Sequence, residues 1–144
     1  MKDQLYPCLW FENQATAAAK FYCEVFPNSK ILNSNPMVVN VELNGKHFML
    51  LNDNRPQTKF TESISFVITC ETQKEIDHYW SKLTSDGGKE SMCGWCNDKF
   101  GVSWQVIPSI LGELMSNPDK SQKVIEAFMK MKKFDIETLK KAAA

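Results

Sequence analysis

Two residues separate Cys93 from Cys96 in Cys93-Gly94-Trp95-Cys96, the C-x-x-C spacing that can serve dithiol redox chemistry or half of a zinc site. A redox pair needs its first cysteine at a helix N-terminus, where the dipole favours the thiolate. The chain instead continues Asn97-Asp98-Lys99-Phe100-Gly101, turn chemistry that leads into an apolar strand. A zinc ribbon needs a second such pair, and the sequence has none. A loop is therefore the favoured reading of this motif. Of the two histidines, His47 follows a hairpin turn and reads as an exposed hairpin residue, though strand alternation could also bring it to a ligand as a base. His78 sits beside Asp77 on a helix and reads as a surface residue, so neither has a histidine partner at metal spacing. Cys8, Cys23 and Cys70 lie among apolar neighbours and are expected to act as small buried hydrophobes. Five cysteines without an export signal point to reduced thiols and a cytoplasmic setting.

Elements must hold these side chains, and the composition says what kind. A chain of 144 residues with 43% hydrophobic and 24% charged residues is ordinary globular material, about one domain long. Seventeen basic residues balance seventeen acidic ones, which argues against a nucleic-acid binder needing surplus positive charge. No apolar run approaches the roughly 20 residues that span a bilayer, and the opening residues form no signal-peptide core.

Leu5 to Phe11 reads as a strand, and Asn13 is expected to cap a helix carrying Ala15, Ala18, Phe21, Tyr22 and Val25. Ile31-Leu32, Met37 to Leu43 and Phe48 to Leu51 read as strands, the last two joined by the hairpin signal Asn44-Gly45. The order then restarts. Ser63 to Cys70 is a strand, Thr72 caps a helix over Gln73–Leu83, and Asp86-Gly87-Gly88 ends it. Glu90 to Trp95 and Val102 to Ile107 read as further strands. Each half thus reads strand, helix, then two or three strands, with equivalent points roughly 55–60 residues apart. After Pro108 the chain turns helical, with Asn117-Pro118-Asp119 as a helix start and an apolar stripe of Val124, Ile125, Phe128 and Met131. Met129, Met131 and Phe134 could also serve a subunit interface.

Several stretches then become recognisable: Tyr6-Pro7-Cys8-Leu9-Trp10-Phe11, Phe26-Pro27-Asn28-Ser29-Lys30-Ile31, Asn44-Gly45-Lys46-His47-Phe48-Met49 and Phe60 to Phe66. The most specific is Cys93-Gly94-Trp95-Cys96-Asn97-Asp98-Lys99-Phe100-Gly101-Val102-Ser103-Trp104-Gln105. Together they resemble PhnB-like proteins, a family labelled 3-demethylubiquinone-9 3-methyltransferase-like within the vicinal oxygen chelate superfamily of glyoxalases and bleomycin-resistance proteins. The resemblance implies an α+β fold of two βαβββ modules that each curl into half a cup, often completed in a homodimer. On that basis residues 1–144 are expected to form a single domain, with module one at about 4–54, module two at about 60–107 and a C-terminal helical tail at 108–144.

The superfamily's enzymes hold a divalent metal with His and Glu side chains from four strands, and the metal polarises vicinal oxygens of the substrate. Carried over by strand position, those ligands fall on or near Tyr6, on Met49 or Leu51, on Ser65 and on Gln105. A slip of one residue brings Pro7, Leu50, Ile64 and Trp104, which are no better as donors. No metal and no cofactor is therefore expected. Strand alternation places Tyr6, Cys8, Trp10, Met49, Leu51, Ser65, Val67, Ser103 and Gln105 in the cup lining. It places Leu9, Phe11, Ile64, Phe66, Ile68, Val102, Trp104 and Val106 beneath the helices. An aromatic, sulfur-bearing lining suits a small, planar or largely apolar molecule, so the first functional reading is metal-free small-molecule binding. The alternative is a glyoxalase- or dioxygenase-type metalloenzyme with a degenerate site, and a third is a protein whose interior is simply filled. The methyltransferase named in the family label ranks lower. A typical S-adenosylmethionine enzyme has a glycine-rich turn after its first strand, where this chain has Phe11-Glu12-Asn13-Gln14-Ala15.

Overall fold

The computed structural model describes residues 3–55 and 59–144. Two compact units divide the chain, Met1–Thr58 and Lys59–Ala144. In the first, β1 (Cys8–Glu12), α1 (Ala15–Val25), β2 (Lys30–Ser34), β3 (Val38–Leu43) and β4 (Lys46–Asp53) form a sheet of order β1-β4-β3-β2. In the second, β5 (Ser65–Cys70), α2 (Gln73–Leu83), β6 (Lys89–Glu90), β7 (Trp95–Asn97) and β8 (Ser103–Pro108) form a sheet of order β5-β8-β7-β6. In both, the first strand pairs in parallel with the last and the other neighbours pair antiparallel. The duplication expected from element order is thus a shared topology, and the α+β class with two βαβββ modules holds. Neither sheet closes into a barrel. Among the described residues no helix is long and apolar enough to cross a membrane.

Alternation inside each paired strand decides which face the helix covers. Leu9, Phe11, Val39, Val41 and Leu50 are buried, as are Ala15, Ala18, Ala19, Tyr22 and Val25 of α1, which packs on β1, β3 and β4. Three alanines on that helix face let its backbone come close to the sheet. In the second unit Ile76, Tyr79, Trp80 and Leu83 of α2 are buried, as are Ile68, Cys70, Cys96, Trp104 and Val106 of the sheet it packs on. Ile64 departs from its expected place beneath a helix: it is 70% exposed. It precedes the first ladder pair, Ser65 with Ser103, and alternation has no hold outside the ladder.

Three further local expectations are revised. Asn13 does not cap α1; it adopts a left-handed backbone, φ 57°. The Ala15 N–H donates instead to Asn52 Oδ1 of β4 at 2.8 Å, so the cap arrives from 37 residues downstream. Replacing Asn52 with alanine is expected to lower stability by about 1 kcal/mol in urea denaturation, the usual cost of a lost cap. Glu90 to Trp95 is not one strand, because Cys93 and Gly94, with φ of 58° and 80°, turn the chain between β6 and β7.

The third revision concerns the C-terminal residues, which form α3 (Leu111–Met115), α4 (Pro118–Phe128) and α5 (Ile136–Ala143). Asn117 caps α4 by accepting from the Asp119 N–H at 3.0 Å, as its sequence suggests. Phe134, a possible interface residue by sequence, is 1% exposed and stacked near Phe128 within its own unit. Gln73 of α2 ties this segment down. Its Nε2 donates to the Phe134 carbonyl at 2.9 Å, and its Oε1 accepts from the Ile136 N–H at 2.9 Å.

Candidate functional site

The strand register of the first unit sets Cys8 beside Met49 and Trp10 beside Leu51, on the sheet face opposite Leu9, Phe11 and Leu50. Cys8 is exposed, whereas Trp10, Met49 and Leu51 are half-buried. The expectation that Cys8 is a buried hydrophobe therefore fails, because its parity matches Trp10 rather than Leu9. Asn40 of β3 lies beside Met49 in the same row. At one end of this face the Arg55 guanidinium sits over the Trp10 ring, 5.5 Å from its centroid. Asp53 holds it there, accepting from Arg55 Nη2 at 2.6 Å and Nε at 3.0 Å. Those side-chain hydrogen bonds also keep the Asp53 carboxyl below the ordinary carboxylate range.

His47 is the main surprise of this face. It is 5% exposed, not an exposed hairpin residue. The hairpin turn itself is as expected, with Asn44 and Gly45 at φ 50° and 79°, but His47 already belongs to the ladder opposite Glu42 and points to the Met49 side. Its Nε2 lies 2.9 Å from Asn40 Oδ1, and Asn40 Nδ2 donates to Asn33 Oδ1 at 2.9 Å. The Tyr6 ring lies against the imidazole, centroids 3.9 Å apart. Sequence reasoning missed Asn40 and Asn33. The available signal was Asn40 itself, the one amide inside the apolar run Val38-Val39-Asn40-Val41.

In the second unit Ser65 pairs with Ser103 and Val67 with Gln105, all on one sheet face with Trp95 and Asn97 of β7. Val67 is 58% exposed, Ser65 and Gln105 are half-buried, and Ser103 is buried. Gln105 Nε2 donates to Ser65 Oγ and Asn97 Nδ2 to Ser103 Oγ, each at 2.9 Å. The nine expected lining residues thus divide by unit: Tyr6, Cys8, Trp10, Met49 and Leu51 together, and Ser65, Val67, Ser103 and Gln105 together. At the positions that the resemblance gives for metal ligands stand a phenol (Tyr6), a thioether or an aliphatic group (Met49 or Leu51), a hydroxyl (Ser65) and an amide (Gln105), the last two already bonded to each other. Such a set does not fit a hard divalent cation. Among the described residues no three His, Cys, Asp or Glu side chains gather as a metal site.

All five cysteines are free thiols. Cys93 Sγ lies 3.8 Å from Met129 Sδ, while Cys96 is buried in β7. Burial pushes the Cys70 and Cys96 thiols from an ordinary 9.0 up to about 12. Below pH 9 both are protonated whether the chain is folded or not. Between pH 9 and about 12 only the unfolded chain ionises them, so folding stability is expected to fall as pH rises through that window. Urea denaturation at pH 8 and pH 10 checks this, and the loss should shrink in a Cys70→Ala, Cys96→Ala double variant.

The family model described as 3-demethylubiquinone-9 3-methyltransferase matches residues 3–107. No curated protein matches the chain. Among solved structures, the PhnB protein from Bacillus cereus is 31% identical with a TM-score of 0.68, covering 74% of this chain and 100% of its own. A glyoxalase-related enzyme from Fulvimarina pelagi shares the fold at 13% identity and TM-score 0.55, covering 76% of this chain and 91% of its own. A glyoxalase/bleomycin resistance protein from Albidiferax ferrireducens does so at 13% identity and TM-score 0.53, covering 74% and 98%.

Proposed function

The chain belongs to the 3-demethylubiquinone-9 3-methyltransferase family of PhnB-like proteins, within the glyoxalase/bleomycin-resistance superfamily, and on that footing we propose that it binds a small, planar, largely apolar molecule. The observation that carries this reading is the row of Cys8, Trp10, Met49 and Leu51 on the sheet face that α1 leaves uncovered. A half-buried indole flanked by sulfur and aliphatic side chains offers a planar ring both apolar contact and a stacking partner. In the second unit Ser65, Val67, Ser103 and Gln105 share one weakly polar sheet face. Binding proceeds without a resident metal, because the donor set does not suit one.

Calorimetric titration with 1-naphthol, a planar probe, tests the reading. Trp10→Ala is expected to weaken binding about tenfold, roughly the 1.4 kcal/mol that stacking and burial of one ring supply. Undiminished binding by that variant would sink it. Stoichiometric Ni, Zn, Fe or Mn in the purified protein would instead favour the metalloenzyme alternative. We further propose a cytoplasmic homodimer, which the free thiols and the family resemblance support. Light scattering should give twice the chain's 16.5 kDa.

A further inference from the structure

We infer that the molecule bound on the first unit's open face carries a ring hydroxyl or N–H donor, and that His47 Nδ1 accepts it. This rests on the small-molecule reading above and adds the chemical class of the ligand. Asn40 Nδ2 donates to Asn33 Oδ1, which turns Asn40 Oδ1 toward His47. Only an N–H can satisfy that oxygen, so Nε2 carries a ring proton, and in the singly protonated ring Nδ1 is the acceptor. Nδ1 is buried and has no hydrogen-bond partner among the described residues. Folded proteins satisfy nearly all their buried polar atoms, so one left over calls for a partner that the described residues do not supply.

The setting says what that group looks like. His47 follows the parity of Met49, so it borders the row that contains Cys8 and Met49. A planar phenol-sized ring already rests on the imidazole, that of Tyr6, at 3.9 Å. Tyr6 lies before the first ladder pair, Cys8 with Met49, so no β-ladder pairing fixes it. A ligand ring takes the place of Tyr6 against His47 and brings its donor to Nδ1. Asn40 and Asn33 act as positioning residues, since they set the tautomer of His47.

Two probes of nearly one shape, 1-naphthol and 1-methoxynaphthalene, differ in the donor alone. The intact protein should bind the naphthol about tenfold more tightly, and His47→Phe should erase that preference. Tyr6→Ala should strengthen both probes and keep the preference. In the unliganded protein, nitrogen NMR of the His47 ring should show Nε2 protonated and Nδ1 bare, with Nδ1 shifting on addition of naphthol. This measurement and the wild-type comparison need no variant to fold. Equal affinity for the two probes, both weakened by Trp10→Ala, overturns the donor assignment and leaves the binding face standing. Failure of the intact protein to bind either probe overturns the binding face and this assignment with it.

Discussion

Asp98→Ala is expected to destabilise the second unit by about 4 kcal/mol, enough to unfold much of a population of ordinary stability near 37 °C. The Asp98 side chain is almost fully buried, at 2% exposure. Its Oδ1 accepts from the Phe100 N–H at 2.9 Å and the Val102 N–H at 3.1 Å, and its Oδ2 accepts from Trp104 Nε1 at 2.9 Å. Its backbone closes the same turn, donating to the Val102 carbonyl and accepting from the Gly101 N–H, both at 2.9 Å. One carboxylate therefore satisfies three donors that water cannot easily reach. Alanine strands them, at about 1–3 kcal/mol for each buried polar group left unpaired. Asp98→Asn keeps one acceptor oxygen but turns an NH2 toward Trp104 or toward the two amides, so about 2 kcal/mol is expected. Urea denaturation followed by circular dichroism measures both. A loss below about 1 kcal/mol for alanine would mean the turn holds without its carboxylate.

The second large effect is expected at Gly94, where alanine should cost about 3 kcal/mol. Gly94 adopts φ +80°, a conformation that side chains rarely accept. A Cβ there would also stand 2.5 Å from Phe134 Cε2 and 2.7 Å from the Val106 carbonyl oxygen. Phe134 is held in the core and the carbonyl is backbone, so neither yields cheaply. The Gly94 N–H further bonds the Lys132 carbonyl at 2.8 Å, and its own carbonyl accepts from the Val106 N–H at 2.8 Å. Gly45 separates the two causes. It has nearly the same φ, +79°, but the nearest atom to its missing Cβ is 3.9 Å away. Gly45→Ala should therefore cost only about 1 kcal/mol, the conformational part alone. Equal losses at the two glycines would remove the packing argument.

These two residues sit in the stretch of sequence that most resembles the family, and their work there is structural. Cys93-Gly94-Trp95-Cys96 owes its shape to a left-handed turn clamped on the segment before α5, and Asn97 to Gly101 owes its shape to one buried carboxylate. Within the C-x-x-C spacing Gly94 serves the turn and Cys96 is buried in β7, and both cysteines are free thiols.

Signals carried by near neighbours along the chain were legible without coordinates. Thr72 before an apolar stripe of period 3.6 defines α2, Asn44-Gly45 defines the β3–β4 turn, and alternation separates Leu9, Phe11 and Leu50 from Cys8, Trp10 and Met49. Each depends on residues within about one turn or one strand of each other, so the covalent chain already brings them together. The repeated element order, and with it the fold, follows from the same local information.

Other features depended on which strands pair. Asn52 caps α1 because the parallel β1–β4 ladder sets Asn52 beside Phe11, just ahead of that helix. His47 loses its exposure, and gains Asn40 and Tyr6, because β3 and β4 align in a register that the hairpin signal alone does not extend to side-chain contacts. The amino-acid sequence alone therefore determined most of the elements, their duplication and the apolar row of Trp10, Met49 and Leu51. Tertiary structure alone decided that His47 Nδ1 is buried with no hydrogen-bond partner among the described residues, since an atom's burial and its hydrogen bonding depend on groups far apart in the chain.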